Sequence, residues 1–292
     1  MKVLITGSNG FLGQHLTLYL SKLYNVIAVS RGENRIAANT SYVYETLDLI
    51  NEEVVAAVLK KHQPNVIIHN AAMSKPDECN KYKDVCLQQN VSATNYLLKH
   101  CLPSTHFIYI STDFVFGENG PHSEDDVKEP LNFYGESKLQ AEQLVEKRIG
   151  LNTIVRPVFI YGQVLQGMRP SFLHWVKNNL EQEKQIKVVS DQQRTPTFVT
   201  DICKGITTII QQKEKGVFHL AGKDIVSPYA MAITVADVLG LNKNLIENVT
   251  LETFPEPVKR AKKSGLKIDK AKTVLQYNPV SFAEGVKLSF GL

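Results

Sequence analysis

Tyr134 and Lys138 stand four residues apart in the string Asn132-Phe133-Tyr134-Gly135-Glu136-Ser137-Lys138. On a helix that spacing puts both side chains on one face, one turn apart. A phenol is a weak acid, with an ordinary pKa of about 10. A neighbouring ammonium favours the phenolate and lowers that value. The pair is therefore a candidate proton donor and acceptor near neutral pH. Spacing alone proves nothing, because Tyr and Lys four apart are common on solvated helices; the residues upstream give it weight.

Thr6-Gly7-Ser8-Asn9-Gly10-Phe11-Leu12-Gly13 follows an apolar run and opens a helical pattern. Its glycines suit a strand-turn-helix that cradles a pyrophosphate: Gly7 for the turn, Gly10 for close backbone approach, Gly13 for helix packing. The helix N-terminus then offers free N–H groups and a partial positive charge. An acid at the end of the second strand usually binds the ribose 2′-hydroxyl. Here the strand ends Val29-Ser30-Arg31-Gly32. In this reading Arg31 pairs with a 2′-phosphate and Ser30 donates to it. That favours NADP(H), with NAD(H) left open. Asp48 and the Leu49 backbone are placed at the adenine.

These residues need elements to hold them. Strand signals cover Lys2–Thr6, Tyr24–Ser30, Val66–His69, Phe107–Ser111 and Thr153–Arg156, and helix signals cover Phe11–Leu23, Val85–Cys101 and Tyr134–Arg148. The alternation predicts an α/β, Rossmann-type doubly wound parallel sheet over residues 1–160. From 161 to 292 the pattern loosens. Helices are expected at Phe172–Leu180, Asp201–Gln211 and Met231–Leu239, with a strand at Val217–Leu220 and a tail broken by Pro255, Pro257 and Pro279. This half reads as a smaller α+β substrate lobe, of which the segment 195–222 packs back on the Rossmann domain.

The bulk properties narrow the classes. The 292 residues are 43% hydrophobic and 21% charged, with net charge +4, ordinary for a globular protein. The one basic run, Lys259-Arg260-Ala261-Lys262-Lys263, is too short to suggest nucleic acid. Cys79, Cys86, Cys101 and Cys203 include no Cys-x-x-Cys pair, so no metal site is expected and the thiols fit a reducing, cytoplasmic setting. No apolar stretch is long enough to span a membrane. A homodimer is compatible with the chain.

Four motifs in order resemble the extended short-chain dehydrogenase/reductase superfamily. They are the glycine loop, Asn70-Ala71-Ala72, Ser111-Thr112-Asp113 and Tyr134-x-x-x-Lys138. Within it the chain is most similar to the dTDP-4-dehydrorhamnose reductase family. The strings Ile110-Ser111-Thr112-Asp113-Phe114-Val115-Phe116-Gly117, Pro130-Leu131-Asn132 and Asp191-Gln192-Gln193-Arg194-Thr195-Pro196-Thr197 carry the likeness. Two positions depart. Arg260 precedes Ala261 where the family has Arg-Pro, and Arg194 stands where Gly is usual. An Arg there looks like the related epimerases, in which it contacts substrate diphosphate, and like the regulatory subunit of methionine adenosyltransferase.

The resemblance implies NADPH-dependent reduction of a nucleotide-linked 4-keto-6-deoxy sugar. An epimerase or dehydratase with retained NAD, or a non-catalytic NADP-binding regulatory subunit, is the alternative. Tyr134 would give its proton to the carbonyl oxygen. Lys138 would lower the Tyr134 pKa and hold the nicotinamide ribose, and Thr112 would hydrogen-bond the same oxygen. Asn70, Ala71 and Ala72 would line the cofactor path, and Arg156, Pro157 and Val158 the nicotinamide pocket. Ser111 and Asn90 are counted with the cofactor site: Ser111 stands next to Thr112 but points the other way from the strand end, and Asn90 anchors backbone structure or a water near Lys138, with plain helix packing as the alternative. Thr112, Asp113, Phe114, Val115, Arg194 and Arg260 would face substrate; for Arg194, a salt bridge to Asp201 is the structural alternative. Trp175 reads as core more than as a stacking platform, His69 as structural, and the Cys79/Cys86 spacing as packing.

Overall fold

β-branched runs with no charge in their centres form the middle of the structure, a computed structural model that describes residues 1–36, 41–165, 167–254 and 257–292. Pro255, expected in the loop-rich tail, lies outside the described residues. In chain order the first half is β1 (Lys2–Thr6), α1 (Phe11–Leu20), β2 (Asn25–Ser30), β3 (Tyr42–Thr46), α2 (Glu52–His62) and β4 (Val66–His69), followed by α3 (Pro76–Lys81), α4 (Lys83–Leu87), α5 (Ala93–His100), β5 (His106–Ile110), α6 (Phe133–Lys147) and β6 (Asn152–Arg156). The second half is β7 (Ile160–Tyr161), α7 (Phe172–Glu181), β8 (Ile186–Val189), β9 (Thr197–Phe198), α8 (Val199–Gln212), β10 (Gly216–His219), α9 (Pro228–Leu239), β11 (Ile246–Val249), α10 (Asp269–Leu275) and α11 (Phe282–Phe290).

Seven strands make one parallel sheet in the order β10-β6-β5-β4-β1-β2-β3. The chain runs outward from β1 to β3, then returns to β4 and runs the other way. That reversal opens a crevice at the carboxyl ends of β1 and β4, where α/β folds bind ligands. Successive residues of β1 serve the two faces: Val3 and Ile5 join one core, Leu4 the other, as strand alternation requires. Strands buried on both faces read as continuous apolar runs, which is how they were recognised. The Rossmann-type doubly wound sheet expected from the alternation is the one observed.

Local detail refines the expectation. The helix expected over Val85–Cys101 is present as one helical run from Lys83 to His100, with a π-turn at Gln88–Ser92 between α4 and α5. Helix α2 was not anticipated, although Asn51 caps it, Glu52 and Glu53 sit in its first turn, and Lys60, Lys61 and His62 in its last, a charge order that suits the helix dipole. Trp175 is not core: it is 41% exposed and stacks on Phe172.

Beyond β6 a second apolar cluster joins α7, β8, α9, β11 and α11 through Leu173, Val176, Ile186, Met231, Val235, Ile246 and Val286. Helix α8 instead places Ile202, Ile206 and Ile209 in the core shared with Leu12, Leu16 and Leu20 of α1, and leads into β10 at the sheet edge.

Candidate active site

The glycine loop leaves β1 through Gly7, whose φ of +65° lies in the left-handed region that favours glycine. A Cβ there would also meet the Ala71 backbone at 2.7 Å, so the turn lies against the end of β4. Asn70 fixes that junction, donating from Nδ2 to the Gly7 carbonyl at 3.4 Å. Thr6 Oγ1 accepts from the backbone N–H groups of Asn70 and Ala71 and contacts His69 Nδ1 at 2.8 Å. His69 touches Thr94 Oγ1 through Nε2 at 3.0 Å. It is buried, its pKa pushed down to about 3 by burial and by Lys138. It is a neutral structural ring, as read.

A cleft of about 740 Å³ opens over this loop. From the expected cofactor set it is lined by Gly7, Gly10, Phe11, Leu12, Ser30, Arg31, Asp48, Leu49, Asn70, Ala71, Ala72, Ser111, Tyr134, Lys138 and Pro157, and the catalytic candidate Thr112 joins them. The dimensions and the bare backbone cradle fit a dinucleotide.

Six expected residues are elsewhere. Ser8 is buried, its N–H donating to the Val29 carbonyl. Gly13 packs α1 against the Gly7 and Ser8 backbone. Asn9 donates to the Arg31 and Glu33 carbonyls and accepts from Arg35 N, so it shapes the loop after β2 rather than touching a ligand. Asn90 lies behind the cleft in the π-turn, its amide bonded to both backbone groups of Met73 and to Ser137 Oγ at 2.9 Å. Val158 reaches only a smaller neighbouring cleft. Arg156 is wholly buried and points to Glu142, with Nε–Oε1 at 2.8 Å and Nη2–Oε2 at 2.7 Å. Among the substrate candidates, Val115 is buried in the main core. Gly13 thus serves the helix packing expected of it and Asn90 anchors backbone, while for Arg156 and Val115 spacing named the right neighbourhood and side-chain direction decided otherwise.

Asn132 caps α6 by accepting from Gly135 N at 3.1 Å. A Cβ on Gly135 would lie 2.1 Å from the Phe114 carbonyl oxygen. That close approach brings Tyr134 against the short 3₁₀ turn Asp113–Val115, where Thr112 caps Phe114 N. Tyr134 and Lys138 are both buried. Lys138 Nζ donates to the Ile110 carbonyl at 2.7 Å and lies 4.1 Å from the Tyr109 ring centre. Ser137, between them, donates to the Tyr134 carbonyl at 2.7 Å and accepts from Asn90.

The expected electrostatics are corrected here. Burial raises the Tyr134 phenol well above its ordinary value, opposed by a hydrogen bond with Thr112, and Lys138 is not among the groups lowering it. Burial also pulls Lys138 down to about 7, against the raising influence of Glu142. Desolvation disfavours both charged forms. Tyr134 thus holds its proton at neutral pH, and Lys138 titrates there.

Beside this centre lies the smaller cleft, lined by Asp113, Phe114, Asn132, Phe159, Arg194 and Arg260 among others. Arg194 lies over the Phe159 ring at 5.3 Å and donates to Gln192 Oε1. Asp201 is engaged by Lys204 and Val280 N instead, so the alternative salt bridge to Arg194 is not formed. Arg260 reaches both carboxylate oxygens of Asp77 on α3 at 3.0 Å. Its segment is tied down by Asn132 Nδ2 to the Lys259 carbonyl and by Glu118 to Lys262 N. Phe159 adopts φ +36°, a strained backbone of the kind that concentrates at functional sites.

Sequence reasoning missed Gln89, Phe159, Arg169, Ser171 and Phe172, which also line the large cleft. The signal available for the last two was Ser171, which stands as N-cap ahead of α7.

A parallel sheet with a glycine cradle at its switch point and a buried Thr-Tyr-Lys group beside it defines a Rossmann protein of the extended short-chain dehydrogenase/reductase class. Residues 1–290 match the family model of the RmlD substrate binding domain, and the chain belongs to that family. It is 31% identical to rat methionine adenosyltransferase 2 subunit beta over 99% of this chain and 86% of that protein. It is 27% identical to dTDP-4-dehydrorhamnose reductase of Aggregatibacter actinomycetemcomitans, covering 98% and 97%. Among solved structures, a dTDP-4-dehydrorhamnose reductase from Clostridium acetobutylicum aligns over 100% of this chain and 99% of its own, with TM-score 0.87 and 28% identity. The Bacillus anthracis reductase in complex with NADP aligns over 99% and 98%, with TM-score 0.84 and 26% identity. A Bacillus cereus UDP-glucuronic acid 4-epimerase in complex with NAD aligns over 100% and 98%, with TM-score 0.85 and 25% identity.

Proposed function

We propose that this protein is an NADPH-dependent reductase of a nucleotide-linked 4-keto-6-deoxy sugar, acting in deoxysugar synthesis for cell-surface polysaccharide. The observation that carries the reading is the burial of Thr112, Tyr134 and Lys138 on the wall of the large cleft, beside Asp113 and Phe114, which line the small cleft as well. When bound, NADPH supplies the hydride. Tyr134, held protonated by burial, gives its proton to the carbonyl oxygen as negative charge develops there. Thr112 hydrogen-bonds the same oxygen, so the charge meets preorganised donors in a dry site. Lys138, fixed on the Ile110 carbonyl, holds the nicotinamide ribose through its ammonium. Arg31 and Ser30, at the exposed end of the cleft, suit the 2′-phosphate of NADP. Arg194 and Arg260 suit the diphosphate of the sugar nucleotide.

Among the described residues no helix is long and apolar enough to cross a membrane, and no cluster is arranged to hold a metal. Four free thiols suit a reducing cytoplasm.

The test is NADPH oxidation with a dTDP-4-keto-6-deoxy sugar by wild type and Tyr134→Phe. The variant should lose about 10²–10⁴-fold in turnover and keep its NADPH affinity. Near-full turnover by the variant would overturn the mechanism.

A second reading, a cofactor-binding subunit of another enzyme, is favoured by the 31% identity to methionine adenosyltransferase 2 subunit beta over nearly the whole chain. Recovery of a stoichiometric partner from native lysate, with no turnover of any sugar nucleotide, would establish it in place of the first.

A further inference from the structure

Glu142 and Arg156 make the most deeply buried ion pair in the described structure, both side chains wholly shielded from solvent. The proposed mechanism gives them no role. Their position is informative. Tyr134, Lys138 and Glu142 fall at i, i+4 and i+8 of α6 and are all buried, so they form one stripe along a single helix face. Arg156, at the end of β6, closes on Glu142 with two parallel hydrogen bonds, the strong bidentate geometry of guanidinium and carboxylate. Its remaining donor, Nη1, reaches the Glu124 carbonyl at 3.4 Å and contacts His219 Nε2 at 3.3 Å.

We propose that Glu142 and Arg156 are positioning residues for the reaction centre: the Glu142 carboxylate, one turn beyond Lys138, holds the buried Lys138 in its ammonium form, and Arg156 fixes that carboxylate in place. The inference deepens the reading of Lys138 as a working cation and rests on it. A buried pair of this kind is poor evidence for stability, since two apolar residues often serve as well. A charge role explains why charged groups stand there.

The surroundings of Lys138 support the assignment. From α6 it is faced by Tyr134 and Glu142, from β5 by Tyr109 and the Ile110 carbonyl, from β4 by His69, from α3 by Cys79 and from α4 by Cys86. The two tyrosines hold their protons, and His69 is neutral. The Cys79 thiol is held protonated by its contact with Cys86 and by burial. Cys86 is drawn down to about 7 by its hydrogen bond with Cys79, so it titrates in the same range as Lys138. Glu142 ranks first among the groups that favour the ammonium, and Arg156 is not among those acting on Lys138. Removing both partners therefore subtracts the carboxylate's influence and leaves no unpaired guanidinium behind.

The experiment needs no sugar substrate, so its outcome is separate from that of the proposed reduction. It is run in a Cys86→Ser background, where the competing thiol is gone. Thermal denaturation is followed from mildly acid to alkaline pH, with and without Lys138→Met. The difference between those two curves isolates Lys138. A lysine whose folded value lies below its ordinary value of about 10.4 adds stability as pH rises between the two. The pH at which the difference begins to rise marks the folded value.

With Glu142 and Arg156 present, the rise should begin near pH 7. In the Glu142→Gln/Arg156→Leu background it should begin roughly one pH unit lower. The same onset in both backgrounds would show the pair to be structural only and overturn the proposal. Should the double variant fail to fold, Glu142→Asp with Arg156 kept moves the carboxylate by one methylene. Its onset should shift in the same direction by a smaller amount, and an unchanged onset would again overturn the proposal.

Discussion

On one side of the cleft, Thr112, Tyr134 and Lys138 ride on a 3₁₀ turn and a 15-residue helix and are almost fully buried. On the other, Arg194 and Arg260 ride on irregular segments, half-buried and half-exposed, paired with Gln192 and Asp77. In the buried half, desolvation decides protonation: it keeps Tyr134 acidic in form and brings Lys138 to about 7. In the open half, charges are screened by water, and ion pairs there contribute little to stability. In the proposed reading the dry side carries the proton chemistry, and the half-buried side, tied down by Asn132 and Glu118, carries the anion recognition.

The largest test of the contrast is acid. His69 and His219 are brought down to about 3 and His106 to about 4, in each case chiefly by burial. Their folded values lie below the ordinary value, so the unfolded chain binds protons that the folded chain refuses. Stability is fully present above about pH 6.5 and is lost as pH falls toward these folded values. The loss should be about 2 kcal/mol for each histidine by roughly pH 5, read by chemical denaturation at a series of pH values. A flat profile would mean that burial does not govern this half, and the contrast would fail.

Gly135→Ala comes next. Its Cβ would meet a backbone oxygen at 2.1 Å, so α6 or the 3₁₀ turn must move. A cost of about 1–3 kcal/mol is expected, with turnover falling more than NADPH affinity because Tyr134 leaves Thr112. Calorimetry and NADPH titration check this.

Arg31→Ala, on the exposed rim, should weaken NADPH binding about tenfold, the loss of a charge-assisted contact, and leave NADH binding unchanged. An unaltered preference would remove Arg31 from cofactor selection.

Arg260→Ala should change stability by no more than about 1 kcal/mol, since its partner Asp77 is exposed, while raising the KM for the sugar nucleotide. A large loss of stability would show that this segment is as rigidly built as the buried side, and would narrow the difference between the two halves.

The legibility of the chain follows the same division. β1 and β4 were readable to the residue because strands buried on both faces must be continuous apolar runs. That Gly7, Thr112, Tyr134 and Lys138 share one cleft was readable because each is placed by spacing along one turn, strand end or helix face. Asn9 and Arg156 sit beside the cleft in sequence, but their side chains bond elsewhere, whereas Asn90 anchors the Met73 backbone as expected. Arg169 and Phe172 were missed because a lobe residue becomes cleft-lining only when the chain folds back across the sheet.

By itself, then, the sequence determined the α/β alternation, the phosphate cradle and the paired Tyr134 and Lys138, all properties of local periodicity and spacing. Tertiary structure alone decided the protonation of that pair, the partner of Arg156 and the lobe residues that close the cleft. Burial and side-chain direction depend on how whole elements pack, as when Glu142 of α6 meets Arg156 of the following strand and Arg260 meets Asp77 across 183 residues.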